Sequence, residues 1–432
     1  MKNINTQSLY KIFCQHPVIS IDSRSITSGS IFFALKGNNF DGNQFARQAI
    51  DNGASFAVVD DPLLKEQKQM LFTPNTLTAL QDLARYHRRK LQIPIIGITG
   101  TNGKTTTKEL IGKVLSQKFN TLITKGNLNN HIGVPLTLLN ICPDTQIAVI
   151  EMGANHQHEI ANLCKIANPT HGLITNIGKA HLEGFGNFQG VINAKSELYT
   201  YLRENNGVVF INQDDNLLES LAYEIEKIGY SQKDNALVKG QIFTEAPFLS
   251  VEIFIKEAKF QIKSQLIGAY NINNILAAIT VGSYFNVEPE LIKSAVETYK
   301  PDNNRSQFIR TKNNQVIMDA YNANPSSMEV AISNFSKFPG SNKVMILGDM
   351  LELGREANNE HLKIINLAIS SGVEKIIFVG MIFKDLVKAM PIESYLEVDE
   401  LQEHLKTNPL TDKTILIKGS RGIRLEKLLE IL

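Results

Sequence analysis

Residues 95–110, IIGITGTNGKTTTKEL, constrain the fold of this chain more than any other segment. A β-branched apolar run breaks into a turn with glycines at 97, 100 and 103, and Lys104, Thr105 and Thr106 then open a helix-forming stretch. A buried strand that passes through a tight turn straight into a helix belongs to a parallel α/β sheet. The turn also carries chemistry. Glycines let backbone N–H groups converge on phosphate oxygens, the helix N-terminus adds partial positive charge, and a lysine adds a full one. Thr99, Gly100, Thr101, Asn102, Gly103, Lys104, Thr105 and Thr106 are therefore candidate contacts to a nucleoside triphosphate, with Lys104 on the β- and γ-phosphates and Thr105 on Mg²⁺. The general phosphate-loop spacing wants glycine at position 98, where Ile98 stands. A glycine-rich turn with a chance lysine is the competing account, and the strand-turn-helix context weighs against it.

The rest of the chain is organised around this unit. At 432 residues it exceeds one compact core, so roughly two to four domains are expected. Residues 1–90 alternate short apolar runs with polar turns, a small α/β unit that ends in an amphipathic helix bearing Leu77, Leu80, Leu83, Ala84 and Tyr86. Residues 91–299 begin at the phosphate loop and continue as AVIEM (148–152), GLITNI (172–177), a helix around 194–202 and VVFIN (208–212). Such alternation predicts a mostly parallel sheet covered on both faces. LVKGQIF, LSVEIFI and KFQIKSQL then read as three antiparallel strands appended to that sheet. After PDNNR (301–305), an exposed connection on this reading, the alternation restarts with QVIMD, KVMILG, KIIFVG and TILIKG, and predicts a Rossmann-like unit over 300–432. The fold class is thus α/β in three domains.

Bulk properties remove several function classes. Forty-four basic residues against 43 acidic ones leave a net charge of +1, which provides no general field for nucleic acid or an anionic membrane. Anionic ligands must be held locally. No stretch approaches the roughly 18 apolar residues of a membrane span, and the N-terminus lacks a secretory pattern. A cytoplasmic monomer without membrane insertion is expected. Cys14, Cys142 and Cys164 match neither a zinc site nor a disulfide framework, and read as small hydrophobes in a reducing compartment.

Outside the loop, Glu151 ends the AVIE run at the strand edge where open α/β sheets bind ligands, and a carboxylate there suits Mg²⁺. A solvated glutamate at a strand end is the plainer alternative. His181, in KAHLEGFG, would on its own be read as a surface or structural histidine. Asn271 and Asn274 are three apart and share a helical face, although asparagines also cap helices. Asn127, Asn129 and Asn130 follow the strand TLIT, where amides hold a peptide without adding charge, but asparagine-rich turns are common.

The GTNGKTT loop is similar to that of the Mur ligase and folylpolyglutamate synthetase superfamily. GNLNNHIGVPLTLL, VIEMGANHQHEI, NIGKAHLEGFG, AKSELY, GAYNINNILAA, DAYNANPSSM, LGDMLELG and KGSRGIRLE extend the likeness in the same order over nearly the whole chain. The combination of NLNN, MGANH, AHLEGFG, YNANP and GDMLELG resembles the branch that adds a D-alanyl-D-alanine dipeptide. The resemblance implies a UDP-substrate domain, a central ATPase and a closing C-terminal domain. It also implies acyl-phosphate chemistry on a UDP-N-acetylmuramoyl-tripeptide with D-alanyl-D-alanine as nucleophile. By resemblance, His181 is a second metal ligand and Lys195 is a lysine that becomes carbamylated and joins the Mg²⁺ site. Asn271, Asn274, Arg305, Asp319 and Tyr321 lie toward the nucleotide, while Asn322 and Asn324 lie toward substrate. Asp22, Ser23 and Arg24, with Lys36, Gly37, Asp41 and Gly42, resemble the uridine-nucleotide element. Asp349, Glu352, Arg355, Lys418 and Arg421 shape the dipeptide site as a group. Two places depart from the pattern: PDNNRSQ stands where Pro-Gly-Arg is common, and DGNQF carries Asn43 where a histidine is common.

Two further readings remain open. A ligase adding one amino acid, or a folate polyglutamylating enzyme, shares the superfamily, but YNANP and GDMLELG argue against both and no DNPR element is present. A P-loop kinase or NTP-regulated binding module would turn over nucleotide without D-alanyl-D-alanine.

Overall fold

The computed structural model describes residues 3–233, 236–255 and 258–432. Three sheets carry the architecture. The first has four parallel strands in the order Ile19–Ser20, Ile31–Phe33, Phe56–Val59, Met70–Phe72. A small hairpin, Lys36–Gly37 with Phe40–Asp41, stands beside it. Leu80, Leu83 and Ala84 of the helix Thr76–Lys90 are buried, as the periodicity predicted, and that helix joins the first unit to the next.

Among the described residues the central sheet has nine strands. Ile95–Thr99 lies between His171–Ile174 and Ile147–Glu151, parallel to both, and every residue of the strand is buried. A strand flanked on both sides and covered on both faces has to be apolar throughout, which explains its unbroken β-branched run. Val238–Thr244, Ser250–Ile255 and Ala258–Lys263 form the antiparallel extension. It attaches through a strand the sequence reading passed over, Glu226–Ser231, which pairs parallel with both Val208–Asn212 and Val238–Thr244.

The third sheet has six strands. The four expected strands form its middle, and the short flanking strands Gln307–Arg310 and Glu393–Tyr395 close its edges. The first of these starts directly after the predicted connection, and that segment is not the exposed linker expected. Only Asp302 of this segment is exposed, whereas Pro301, Asn303, Asn304 and Arg305 are partly covered. The cysteine reading is also corrected: Cys164 is a buried core residue, but Cys14 and Cys142 are exposed. No helix among the described residues is long and apolar enough to cross a membrane.

The three units share one large cavity of about 1060 Å³. It is bounded by the phosphate loop, by Gln81 and Arg85 from the helix Thr76–Lys90, and by Arg305, Asp319 and Tyr321 from the third unit. The third unit sits closely against the central one. Lys179 N–H donates to Ser326 Oγ at 3.1 Å, and Ala269 N–H donates to Asn334 Oδ1 at 3.2 Å.

Candidate active site

The phosphate loop is held open from below. Gly103 has φ +79°, and Gly100 has φ +138° with the Thr175 hydroxyl 2.1 Å from where a Cβ would stand. Only glycine fits there. The loop is fastened to the neighbouring strand end: Thr101 N–H donates to Asn176 O at 2.9 Å, Asn102 N–H to Asn176 Oδ1 at 3.0 Å, and Thr175 Oγ to Asn102 O at 2.6 Å. Lys104 begins the helix Lys104–Leu115 and folds back, donating to Gly100 O at 2.7 Å and Thr101 O at 3.0 Å. Burial pushes its ammonium down to about 8, with Glu151 opposing and Arg305 adding to the depression. A triphosphate brings the anions that restore the charge. Thr99 and Thr105 are buried, and neither lines the cavity, whereas Thr101, Asn102, Gly103, Lys104 and Thr106 do.

Asn271 and Asn274 stand behind the loop on the helix Asn271–Tyr284. Neither side chain caps that helix. Asn274 Oδ1 accepts from Thr107 Oγ at 3.0 Å, Asn274 Nδ2 donates to Asn271 Oδ1 at 2.7 Å, and Asn271 Nδ2 donates to Ile267 O at 2.8 Å. The pair supports the turn at Gly103, whose Cβ position lies 2.7 Å from Asn274 Oδ1.

Glu151 is the residue with unspent capacity. It is only 1% exposed at the end of Ile147–Glu151. Oε1 accepts from Asn129 Nδ2 at 2.8 Å, and Oε2 is buried with no hydrogen-bond partner. A buried carboxylate oxygen that accepts no hydrogen bond, with the Lys108 ammonium 3.9 Å away, has capacity left for a cation. The donor set fits Mg²⁺ in kind, since Glu151 and Thr105 would supply hard oxygens, Thr105 from a buried position that does not line the cavity. His181 sits at the start of the short helix Leu182–Phe185 with φ 50°, lines the same cavity, and hydrogen-bonds through Nδ1 to the Glu352 carboxylate. No group of three histidine, cysteine or acidic side chains among the described residues is arranged to hold a metal. The proposed set contains only two such side chains, the others being a hydroxyl and an amine.

Lys195 is 2% exposed in the helix Phe188–Glu204, with Nζ 3.4 Å from Ala154 O and 5.3 Å from the centre of the Phe185 ring. Burial and the nearby Lys104 ammonium depress its amine to about 7, against the pull of Glu159 and Glu197. An amine with a substantial neutral fraction near pH 7 can add CO₂, which an ordinary surface lysine at that pH rarely does.

On the far wall, Asp319 Oδ2 accepts from the buried Lys418 ammonium at 2.7 Å, and Asp319 Oδ1 accepts from Ser306 N–H at 3.2 Å. The Arg305 guanidinium lies 3.8 Å from the centre of the Tyr321 ring, with Arg421 at 5.6 Å, and Arg305 Nε is buried without a partner. Asn322 lines the cavity, and Asn324 caps the helix Pro325–Lys337 while its Nδ2 donates to Asn102 Oδ1 at 2.9 Å.

Other candidates fall elsewhere. Asn129 and Asn130 line the cavity, although Asn130 Oδ1 also accepts from Gly133 N–H at 2.9 Å, and Asn127 is exposed outside it. The N-terminal group forms a separate cluster. Lys36 Nζ lies 3.0 Å from Asp60 Oδ1 and 3.9 Å from Asp41 Oδ2, and Gly42 lies tight against the Leu35 carbonyl. Arg24 pairs with Asp22 at 2.8 Å on the surface, and Ser23 O accepts from Asn52 Nδ2 at 3.0 Å. Gly37 is in the exposed hairpin. Asp349 is a buried helix anchor, accepting from Ile382 and Phe383 N–H groups at 2.9 Å each.

Sequence reasoning missed two residues. Asp60, joined to Lys36, Asn43 and Thr76, is the centre of the N-terminal cluster, and VVDD gave no periodic or motif signal for it. Lys108 is fully buried one helical turn past Lys104, where TTTKE reads as an ordinary solvated helix face.

A glycine-rich loop with its lysine, a buried carboxylate oxygen free of hydrogen bonds and a third unit that lines the same cavity suit an ATP-dependent ligase, and the chain belongs to the Mur ligase family. Three models of that family match it: Mur ligase family, catalytic domain, over residues 17–88; Mur ligase middle domain over 98–282; and Mur ligase, glutamate ligase domain, over 304–421. It is 32% identical to the UDP-N-acetylmuramoyl-tripeptide–D-alanyl-D-alanine ligase of Bacillus subtilis, over 95% of this chain and 92% of that protein. The crystal structure of MurF from Acinetobacter baumannii superposes with a TM-score of 0.88 at 30% identity, covering 100% of this chain and 98% of the other. MurF ligase from Thermotoga maritima in complex with ADP gives 0.84 at 25% identity, over 96% and 97%.

Proposed function

We infer that the chain joins D-alanyl-D-alanine to a UDP-N-acetylmuramoyl-tripeptide at the expense of ATP. A carboxylate is a poor electrophile toward an amine at neutral pH, so the acceptor's terminal carboxylate must first gain a leaving group. Its oxygen attacks the γ-phosphorus, the bond to the bridging β–γ oxygen breaks, and ADP departs. The amine nitrogen of the dipeptide, having lost a proton, attacks the resulting acyl phosphate, and the C–O bond to phosphate breaks. Phosphoryl transfer depends on positioning and charge neutralisation above all.

The roles follow from that requirement. Lys104 and the loop N–H groups hold the triphosphate. Thr105, Glu151, His181 and a carbamylated Lys195 would hold Mg²⁺, which supplies charge neutralisation at the transferring phosphoryl group. Asn271 and Asn274 keep the loop in shape, while Arg305, Asp319 and Tyr321 meet the nucleotide from the third unit. Asn129 and Asn130 face the acceptor peptide, and Asn322 and Asn324 close on the substrates. Lys36 and Asp41, with Asp22, Ser23, Arg24, Gly37 and Gly42, serve the UDP end. The working division is 1–90, 91–299 and 300–432, with a monomer as the active species. Since ATP and UDP-linked acceptors are cytoplasmic, the reaction belongs in the cytoplasm.

The observation that carries this reading is the buried Glu151 oxygen that accepts no hydrogen bond, in the cavity that Lys104 also lines. The test is phosphate release with ATP, Mg²⁺, the UDP-linked tripeptide and D-alanyl-D-alanine, each omitted in turn. Release that ignores both the tripeptide and the dipeptide overturns the ligase and favours a nucleotide-regulated module.

A further inference from the structure

Lys108 is a buried cation that the reaction scheme leaves without a task. Its side chain has no exposure, and Nζ donates to Thr124 O at 2.6 Å. Two carboxylates flank it, Glu109 Oε1 at 3.0 Å and Glu151 Oε2 at 3.9 Å. Glu109 is partly exposed and keeps contact with water, whereas the Glu151 side chain is 2% exposed. The oxygen facing Lys108 is the one without a hydrogen bond. Thr124 ties the arrangement together, since its hydroxyl accepts from Glu151 N–H at 2.9 Å while its carbonyl receives Lys108.

A buried carboxylate with no counter-charge is costly, and a cation about 4 Å away offsets much of that cost. The same ammonium repels any divalent ion that arrives at Glu151 Oε2. We propose that Lys108 is a positioning residue that acts through Glu151, standing in for the metal when the nucleotide site is empty and holding metal affinity low until a triphosphate arrives with its own negative charge. Metal and nucleotide then enter together, and the metal is not retained after the nucleotide leaves. The inference rests on the reading of Glu151 as the cation ligand.

The experiment uses the full chain without nucleotide and Mn²⁺ as the probe, with free Mn²⁺ counted by electron paramagnetic resonance and thermal unfolding followed in parallel. Lys108→Met is expected to bind Mn²⁺ about tenfold more tightly than the parent or better. Its unfolding temperature falls without metal, and Mn²⁺ recovers more of it than Mn²⁺ adds to the parent. Lys108→Arg keeps the charge and retains parental affinity, and Lys108→Gln serves if the methionine variant does not fold. Unchanged or weaker Mn²⁺ binding in the neutral variants overturns the proposal and leaves Lys108 a prop for Thr124. An arginine variant that tightens binding as much as methionine also overturns it. Glu151→Gln separates the two levels, because Mn²⁺ binding that survives this change removes the cation-ligand reading itself.

Discussion

The side-chain amide of Asn324 donates to the side-chain carbonyl of Asn102 at 2.9 Å, so the third unit touches the phosphate loop through a hydrogen bond between asparagines 222 positions apart. The same Asn324 caps the helix Pro325–Lys337 by accepting from Ser327 N–H at 2.9 Å. Asn324→Ser separates the two roles, since serine caps as well but is too short to reach Asn102. Unfolding free energy should change by less than about 0.5 kcal/mol, while KM for ATP rises. A fall in stability with unchanged KM would confine Asn324 to capping.

Among the described residues Lys104 bonds only to carbonyls of its own loop, and burial disfavours its charge. Its replacement by methionine should therefore lower turnover on the order of 10³-fold while the urea midpoint stays close to the parent's. Loss of soluble protein would instead make Lys104 a structural residue.

Asn43 occupies the place where a histidine is common, and it is 4% exposed. Its amide nitrogen donates to Asp41 Oδ1 at 2.7 Å and Asp60 Oδ1 at 2.8 Å, and its carbonyl accepts from Asp60 N–H at 3.0 Å. Burial alone would raise the Asp60 pKa, but Lys36, Asn43 and Thr76 outweigh it and hold the carboxyl below its usual range. Asn43→Ala strands these groups and should cost about 2 kcal/mol in denaturant unfolding. A change below measurement error would show that water replaces the amide.

His171 sits among Phe210, Tyr284 and Phe285, with ring centres 5.3 to 5.8 Å away, and burial pushes its imidazole down to about 4. Above the unfolded value near 6.5 both states are neutral and the group has no pH effect. Between about 6.5 and 4 the unfolded chain takes up a proton that the folded one refuses. Stability should therefore fall as pH drops through that window, by about 3 kcal/mol at the acid end. His171→Phe keeps a ring in the cluster and should flatten the slope. An equally steep slope in the variant would place the acid sensitivity elsewhere.

Legibility in the sequence followed the physics of each element. The strand Ile95–Thr99 and its loop were readable because apolar periodicity, glycine placement and the lysine all serve one local structure. Edge strands such as Glu393–Tyr395 were not, since two or three half-buried residues leave no pattern. The loop, Glu151 and the C-terminal wall were expected from motifs, and the structure brings them to one cavity. The use of Asn271 and Asn274 as supports rather than caps was not expected, because spacing tells which face a side chain shares and not which partner it meets. Lys108 stayed hidden for a related reason: a lysine among threonines looks solvated until the fold shows which strand covers it.

Ile267, which lies ahead of the helix Asn271–Tyr284, packs into the apolar core of the third unit with Ile317, Met328 and Phe335, and Phe248 of the antiparallel extension rests on the same core. The border drawn by the sheets and the border drawn by packing therefore differ. Recombination between relatives at residue 300 would join one parent's plug to the other parent's socket. Chimeras that carry the segment from about 245 onward together with the third unit keep the two matched, so in shuffling experiments the interchangeable module begins well before its first strand.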